Sequence, residues 1–84
     1  MKKVEFFYLE NCPYCKKAMA YLEELKQDPK YASIEISFIE ESKEAEYASL
    51  HDYYYVPTFY IDDQLVHEGA ATKEDVQVVL EKSL

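Results

Sequence analysis

The chain has 84 residues, 49% of them hydrophobic, which is enough for one small core and too little for a second. Seventeen acidic residues against nine basic ones, none of them arginine, leave a formal charge of -8. That balance argues against nucleic-acid and anionic-membrane partners, which recruit clustered cations, and favours neutral or basic ones. Met1-Lys2-Lys3 is a basic start, but the apolar run behind it contains Glu5 and ends at Glu10, too short for a secretion signal. No stretch approaches the roughly 20 apolar residues of a membrane span. A cytoplasmic location is therefore expected, a compartment in which thiols are held reduced.

In chain order, Val4 to Leu9 (VEFFYL) is rich in β-branched and aromatic side chains and predicts a strand, broken by Asn11, Cys12 and Pro13 as by a loop turning into a helix. Cys15, Ala18, Met19, Leu22 and Leu25 then recur at helical spacing, with Lys16, Lys17, Glu23 and Glu24 on the other side. Pro29 and its polar neighbours are expected to end this amphipathic helix. Ile34 to Ile39 alternates well enough for a second strand, parallel to the first. Ser42 to Leu50 predicts a short helix whose apolar stripe, Ala45 and Ala48, is thin.

After Pro57, the runs Thr58 to Ile61 and Gln64 to His67 flank Asp62-Asp63, the pattern of a tight hairpin between antiparallel strands. A last helix starts near Thr72, whose hydroxyl can cap a first turn holding Glu74 and Asp75, and buries Val76, Val79 and Leu80. The order is β-α-β-α-β-β-α. With no repeat, low-complexity tract or linker, residues 1–84 read as a single domain.

The chemistry concentrates at Cys12-Pro13-Tyr14-Cys15. A sulfur at the mouth of a helix meets unpaired backbone amides and the positive end of the helix dipole, both of which favour thiolate over thiol. Cys12 is thus the expected nucleophile. Cys15, one turn on, begins the apolar stripe, shielded yet placed to attack a mixed disulfide on Cys12. Pro13 suits the first helical turn, where a missing N–H costs nothing, and Tyr14 forms one lip of the site. Cys12, Cys15, His51 and His67 could also be counted as a zinc set, but the histidines lie far apart in the chain, whereas zinc-finger pairs sit about three to five residues apart. No metal is expected there, and His51 and His67 read as surface or edge residues.

These residues resemble a glutaredoxin or a small thioredoxin: Cys-Pro-Tyr-Cys after the first strand, Val56-Pro57-Thr58 before the third, and a capped final helix. The resemblance implies a thioredoxin-like α/β fold, a central mixed four-stranded sheet flanked by three helices. It also implies that Pro57 is cis and opposite the cysteine pair, and that the backbone of Val56 pairs with bound substrate. The activity implied is thiol-disulfide exchange that reduces protein or small-molecule disulfides, with no bound cofactor and with glutathione or an NADPH-dependent thioredoxin reductase as electron donor. The chain departs from the glutaredoxin pattern at Leu9, where a basic residue is usual, and at Glu68-Gly69-Ala70-Ala71-Thr72, where Gly-Gly-x-Asp grips glutathione. It also lacks the tryptophan and glycine of the thioredoxin Cys-Gly-Pro-Cys site. A glutathione-coupled glutaredoxin is the alternative within the superfamily, and a non-catalytic thiolate metal-binding module is the alternative from another class.

Of Tyr53, Tyr54 and Tyr55, two are expected to pack the loop and one, Tyr55, to line the groove. Lys16 and Lys17 read as solvated. The acidic residues Glu40, Glu41, Glu44 and Glu46 read as a solubilising helix start.

Overall fold

A computed structural model describes residues 2–84; Met1, the first residue of the short basic start, lies outside them. The elements are β1 (Val4–Tyr8), α1 (Pro13–Leu25), β2 (Ile36–Glu40), α2 (Ala45–Ala48), β3 (Thr58–Ile61), β4 (Gln64–Glu68) and α3 (Lys73–Ser83). The strands form one mixed sheet in the order β2-β1-β3-β4. β1 runs parallel to β2, with Phe6 opposite Phe38, and antiparallel to β3, with Phe6 opposite Phe59. β3 and β4 close an antiparallel hairpin. Asp62 and Asp63 both take positive φ, 47° and 66°. That is the handedness a two-residue hairpin turn needs, and aspartate tolerates it better than most side chains.

Strand alternation sorts the sheet into two faces. Val4 and Phe6 of β1 and Phe59 and Ile61 of β3 join Ala18, Leu22 and Leu25 of α1 and Val76, Val79 and Leu80 of α3 in the larger core. The opposite face gathers Phe7, Ile39 and Tyr60 under Ala48 of α2, with Tyr47 and Tyr53 packed against them. Burial on both sides explains why β1 is nearly continuously apolar rather than alternating. No helix among the described residues is long and apolar enough to cross a membrane.

The differences from the expected elements have local causes. α1 stops at Leu25, before Pro29, because the amides of Gln27 and Asp28 turn to carbonyls three residues back and tighten the chain out of the helix. β2 starts at Ile36 and leaves Phe38 exposed, since an edge strand lacks a neighbour on one side; the ring packs edge-on to Phe6 and Tyr8. α2 is one turn long and Ala45 is exposed, because residues 42–44 are bent around the Glu40 carboxylate. Tyr31, in the connection after α1, is a buried core residue whose hydroxyl donates to Glu81 and accepts from Gln77.

At α3, Thr72 Oγ1 accepts from the Asp75 amide at 3.1 Å and the Asp75 carboxylate accepts from the Thr72 amide at 3.0 Å, a reciprocal capping box. Thr72→Ala is expected to lower stability by about 1 kcal/mol. Equilibrium urea unfolding should show it as a lower midpoint at an unchanged slope.

Candidate active site

The turn after β1 places Cys12 as the N-cap of α1, in extended conformation (φ -83°, ψ 118°), with Pro13 opening the helix. The turn is closed by the Cys12 amide donating to the Leu9 carbonyl at 3.2 Å, and the first helical bond runs from the Lys16 amide to the Cys12 carbonyl at 3.0 Å. The Cys12 sulfur occupies the capping position that serine or aspartate usually fills: it accepts from the Cys15 amide at 3.3 Å. Cys12 is partly exposed and Cys15 fully buried, and both are free thiols. Burial, reinforced by the adjacent Cys12 sulfur, pushes the Cys15 thiol up to about 12. One sulfur is therefore accessible and bonded to a backbone amide, and the other is held protonated in the core.

Across from the pair, the Val56-Pro57 peptide bond is cis. The Cys12 thiol points at the Val56 carbonyl oxygen, 3.9 Å away, and Val56 lies before the start of β3. The Pro57 carbonyl is taken by the Gly69 amide at 2.8 Å, and Gly69, at φ 88°, turns the chain from β4 toward α3. The tertiary structure thus brings together Cys12, Cys15, Pro13, Tyr14, Val56 and Pro57 from two distant stretches of chain.

A family model described as Glutaredoxin matches residues 4–66, well over half of the chain and inclusive of both cysteines and Val56-Pro57. The chain belongs to the glutaredoxin family. No curated protein sequence matches it. Among solved structures it is similar to a thioredoxin of Malassezia sympodialis (TM-score 0.79, 16% identity, covering 98% of this chain and 74% of that one). It is also similar to mitochondrial thioredoxin 3 of Saccharomyces cerevisiae (TM-score 0.76, 23% identity, 96% and 77% covered). A third is the germline-specific thioredoxin Deadhead of Drosophila melanogaster (TM-score 0.75, 20% identity, 99% and 81% covered). At these identities the structures establish the fold, which is thioredoxin-like, and family and fold together make the chain a thiol-disulfide oxidoreductase in the general sense.

Several side chains of this glutaredoxin-family protein stand elsewhere than expected. Of the three tyrosines only Tyr53 packs, against Phe7 at 5.3 Å between ring centroids. Tyr54 and Tyr55 are 91% and 69% exposed, because the Glu68 carboxylate accepts both their amides and holds that backbone against the sheet edge with the rings outward. Tyr55 therefore stands proud of the surface. His51 is not a surface residue: its ring lies among Phe7, Tyr47 and Tyr60, with centroids 4.6 to 4.9 Å apart. His67 does sit on the edge strand, its Nε2 3.1 Å from the Ala70 carbonyl. The four-residue set Cys12, Cys15, His51 and His67 is not assembled among the described residues; the one cluster of metal-ligating side chains joins His51 to Glu5 and Asp63.

Glu40 does not belong to a solvated acidic run: it is buried at the end of β2. One carboxylate oxygen accepts from the Glu10 amide at 2.9 Å; the other accepts from the amide and hydroxyl of Ser42, both at 2.6 Å. It ties the loop leading to Cys12 to the loop leading to α2. The Ser42 hydroxyl and the Glu10 amide hold the Glu40 carboxyl down to about 2, below its ordinary 4.5. Its legible signal was position: an acid closing an apolar strand, two residues before a serine.

Iodoacetamide at pH 8 should alkylate Cys12 and leave Cys15 unmodified until the protein is unfolded, as peptide mapping by mass spectrometry would record. Because the folded value of Glu40 is depressed, its stabilisation is complete above about pH 4.5 and disappears as pH falls toward about 2. Glu40→Gln should therefore melt below the wild type at pH 6, with the gap narrowing steadily in scans down to pH 2.5.

Proposed function

We propose that this chain is a dithiol electron carrier that reduces disulfides in other molecules through Cys12 and Cys15. The observation that carries this reading is the Cys12 sulfur at the α1 N-cap, bonded to the Cys15 amide and facing the Val56 carbonyl. Cys12, as thiolate, attacks one sulfur of the substrate disulfide; the S–S bond breaks, and the departing sulfur leaves as a thiolate and takes up a proton. Cys15 then gives up its proton and attacks the Cys12 sulfur, closing the Cys12–Cys15 disulfide and releasing the second substrate thiol. Two electrons have passed to the substrate and the pair is oxidised. Val56 and Pro57 supply the backbone edge on which an extended substrate segment docks, and Pro13 limits which atoms reach the sulfurs.

Protein disulfides are the favoured substrates. Leu9 and Tyr14 flank Cys12 in the chain, Tyr54 and Tyr55 precede Val56, and all four are exposed, an apolar and hydroxyl-bearing rim suited to a polypeptide. The formal charge of -8 favours neutral or basic partner surfaces over nucleic acid or membrane. The electron donor on this reading is an NADPH-dependent thioredoxin reductase, and the compartment is the cytoplasm, whose thiol pool suits a carrier returned to its reduced form.

Glutathione coupling is the second reading, favoured by the family match and by Gly69 at the second glycine of the usual glutathione grip. Against it, Ala71 and Thr72 stand where an acid would meet the glutathione amino group. The Thr72 hydroxyl is committed to capping α3, and Glu68 to the amides of Tyr54 and Tyr55.

Reduction of the oxidised protein is expected to be faster with NADPH and a thioredoxin reductase than with glutathione at matched reducing power, and a reversed order would move the assignment to the glutathione-coupled reading. Cys12→Ser should abolish reduction of insulin disulfides. A Cys12→Ser protein with full activity would end the proposal.

A further inference from the structure

On the α2 face of the sheet, far along β1 from the cysteines, a second constellation has no part in disulfide exchange. Glu5 is the one charged residue inside β1, and its side chain is 4% exposed. Oε2 accepts from the Tyr47 hydroxyl, but Oε1 is buried without a hydrogen-bond partner. Facing that oxygen is His51 Nε2, 3.9 Å away and likewise almost wholly buried. The other ring nitrogen, Nδ1, lies 3.1 Å from the Tyr47 carbonyl, which can only accept, so Nδ1 carries a hydrogen and Nε2 is the ring atom left to meet Glu5. The Glu5 oxygen and Nε2 face each other across a gap too wide for a hydrogen bond, and a cation seated between them would satisfy the orphaned oxygen.

The hairpin supplies a third donor. Asp63, at the turn, has a carboxylate oxygen within 4.8 Å of the ligand atoms of both Glu5 and His51. Its position is set by the neighbouring turn residue: the Lys3 amide donates to the Asp62 carboxylate at 2.9 Å and the Asp62 amide to the Lys3 carbonyl at 3.0 Å. The cluster opens on a surface hollow of about 510 Å³, lined in part by Tyr47, His51, Tyr60 and Asp63, with room for water as a further ligand. Lys3 Nζ is 3.7 Å from both Glu5 and Asp63, too far for a hydrogen bond to either, so its charge offsets theirs without satisfying the Glu5 lone pairs. Its side chain is half exposed.

We propose that Glu5, His51 and Asp63 form a binding site for a divalent transition-metal cation of the zinc type. The donor set is one imidazole nitrogen and two carboxylates, which suits such ions. Tyr47 orients both buried ligands, one through its carbonyl and the other through its hydroxyl, the supporting arrangement that metal-bound histidine and carboxylate require. A bound cation ties the β3–β4 turn to β1 and to the chain following α2, so its effect is on stability rather than on the exchange reaction. The site differs from a thiolate metal module in using neither cysteine, and it stands or falls apart from the reductase reading.

The test removes the thiols, which bind zinc themselves. A Cys12→Ser/Cys15→Ala protein titrated with Zn²⁺ by calorimetry is expected to take up one equivalent and to melt at higher temperature when loaded. On that background His51→Gln should weaken binding at least about tenfold, as should Asp63→Asn, whose side chain is exposed and whose positive φ asparagine tolerates. Lys3→Gln, which removes the competing charge, should tighten it. Should His51→Gln fail to fold, the two surface variants decide. Absence of saturable zinc binding, or binding indifferent to Asp63→Asn and Lys3→Gln, overturns the proposal.

Discussion

The arrangement of the site depends on burying β1 from both sides. Val4 and Phe6 enter the core beneath α1 and α3, Phe7 enters the one beneath α2, and the strand is hydrogen-bonded to β2 on one edge and β3 on the other. A strand so enclosed has little freedom to slip, because a shift of one residue would exchange the contents of the two faces. The loop it feeds, Leu9 to Cys12, is consequently delivered to a fixed point at the end of the sheet. The same enclosure brings β3 alongside, and with it Pro57 and the Val56 carbonyl.

From that point the two cysteines are differentiated by geometry rather than by residue type. Cys12 caps the helix and meets an amide; Cys15, one turn on, begins the stripe that packs α1 against the sheet and so loses contact with water. Two identical side chains acquire different surroundings at the two ends of one helical turn. Glu40 holds the loop in place: with one oxygen on the Glu10 amide and the other on Ser42, it joins the segment before Cys12 to the one before α2. A buried carboxylate with four donors is a satisfied one, and at this junction it serves as a rigid turn.

Glu5 presents the opposite case. It lies on the same strand as Phe6 and Phe7, one oxygen satisfied and one without a hydrogen bond, facing Nε2 of a buried histidine. The contrast between the two buried acids separates a structural carboxylate from one whose environment calls for a cation. Residues Tyr47 and His51, four apart, share the face that α2 and the chain after it turn toward the sheet, so one short segment positions both sides of the gap.

Much of this protein was legible in the chain itself. The strands, the amphipathic helices, the Asp62-Asp63 hairpin and the Thr72 cap follow from local periodicity and turn chemistry, which act over a few residues and so leave their mark in adjacent letters. Cys-Pro-Tyr-Cys between a strand and a helix likewise marked the candidate site. The environments of isolated polar residues were decided only by the tertiary structure. Glu5 in an apolar run and His51 in a loop carry no local sign of burial, and Glu40 shows only its place at the end of an apolar strand. Their partners, Glu10, Ser42, Tyr47 and Asp63, are assembled by strand pairing and by the α2 crossover. The same is true of Tyr54 and Tyr55, turned outward by a carboxylate on β4 that is distant in the chain. Local pattern records which face of an element seeks the core; which side chain from elsewhere meets a given polar group is a property of the packed whole.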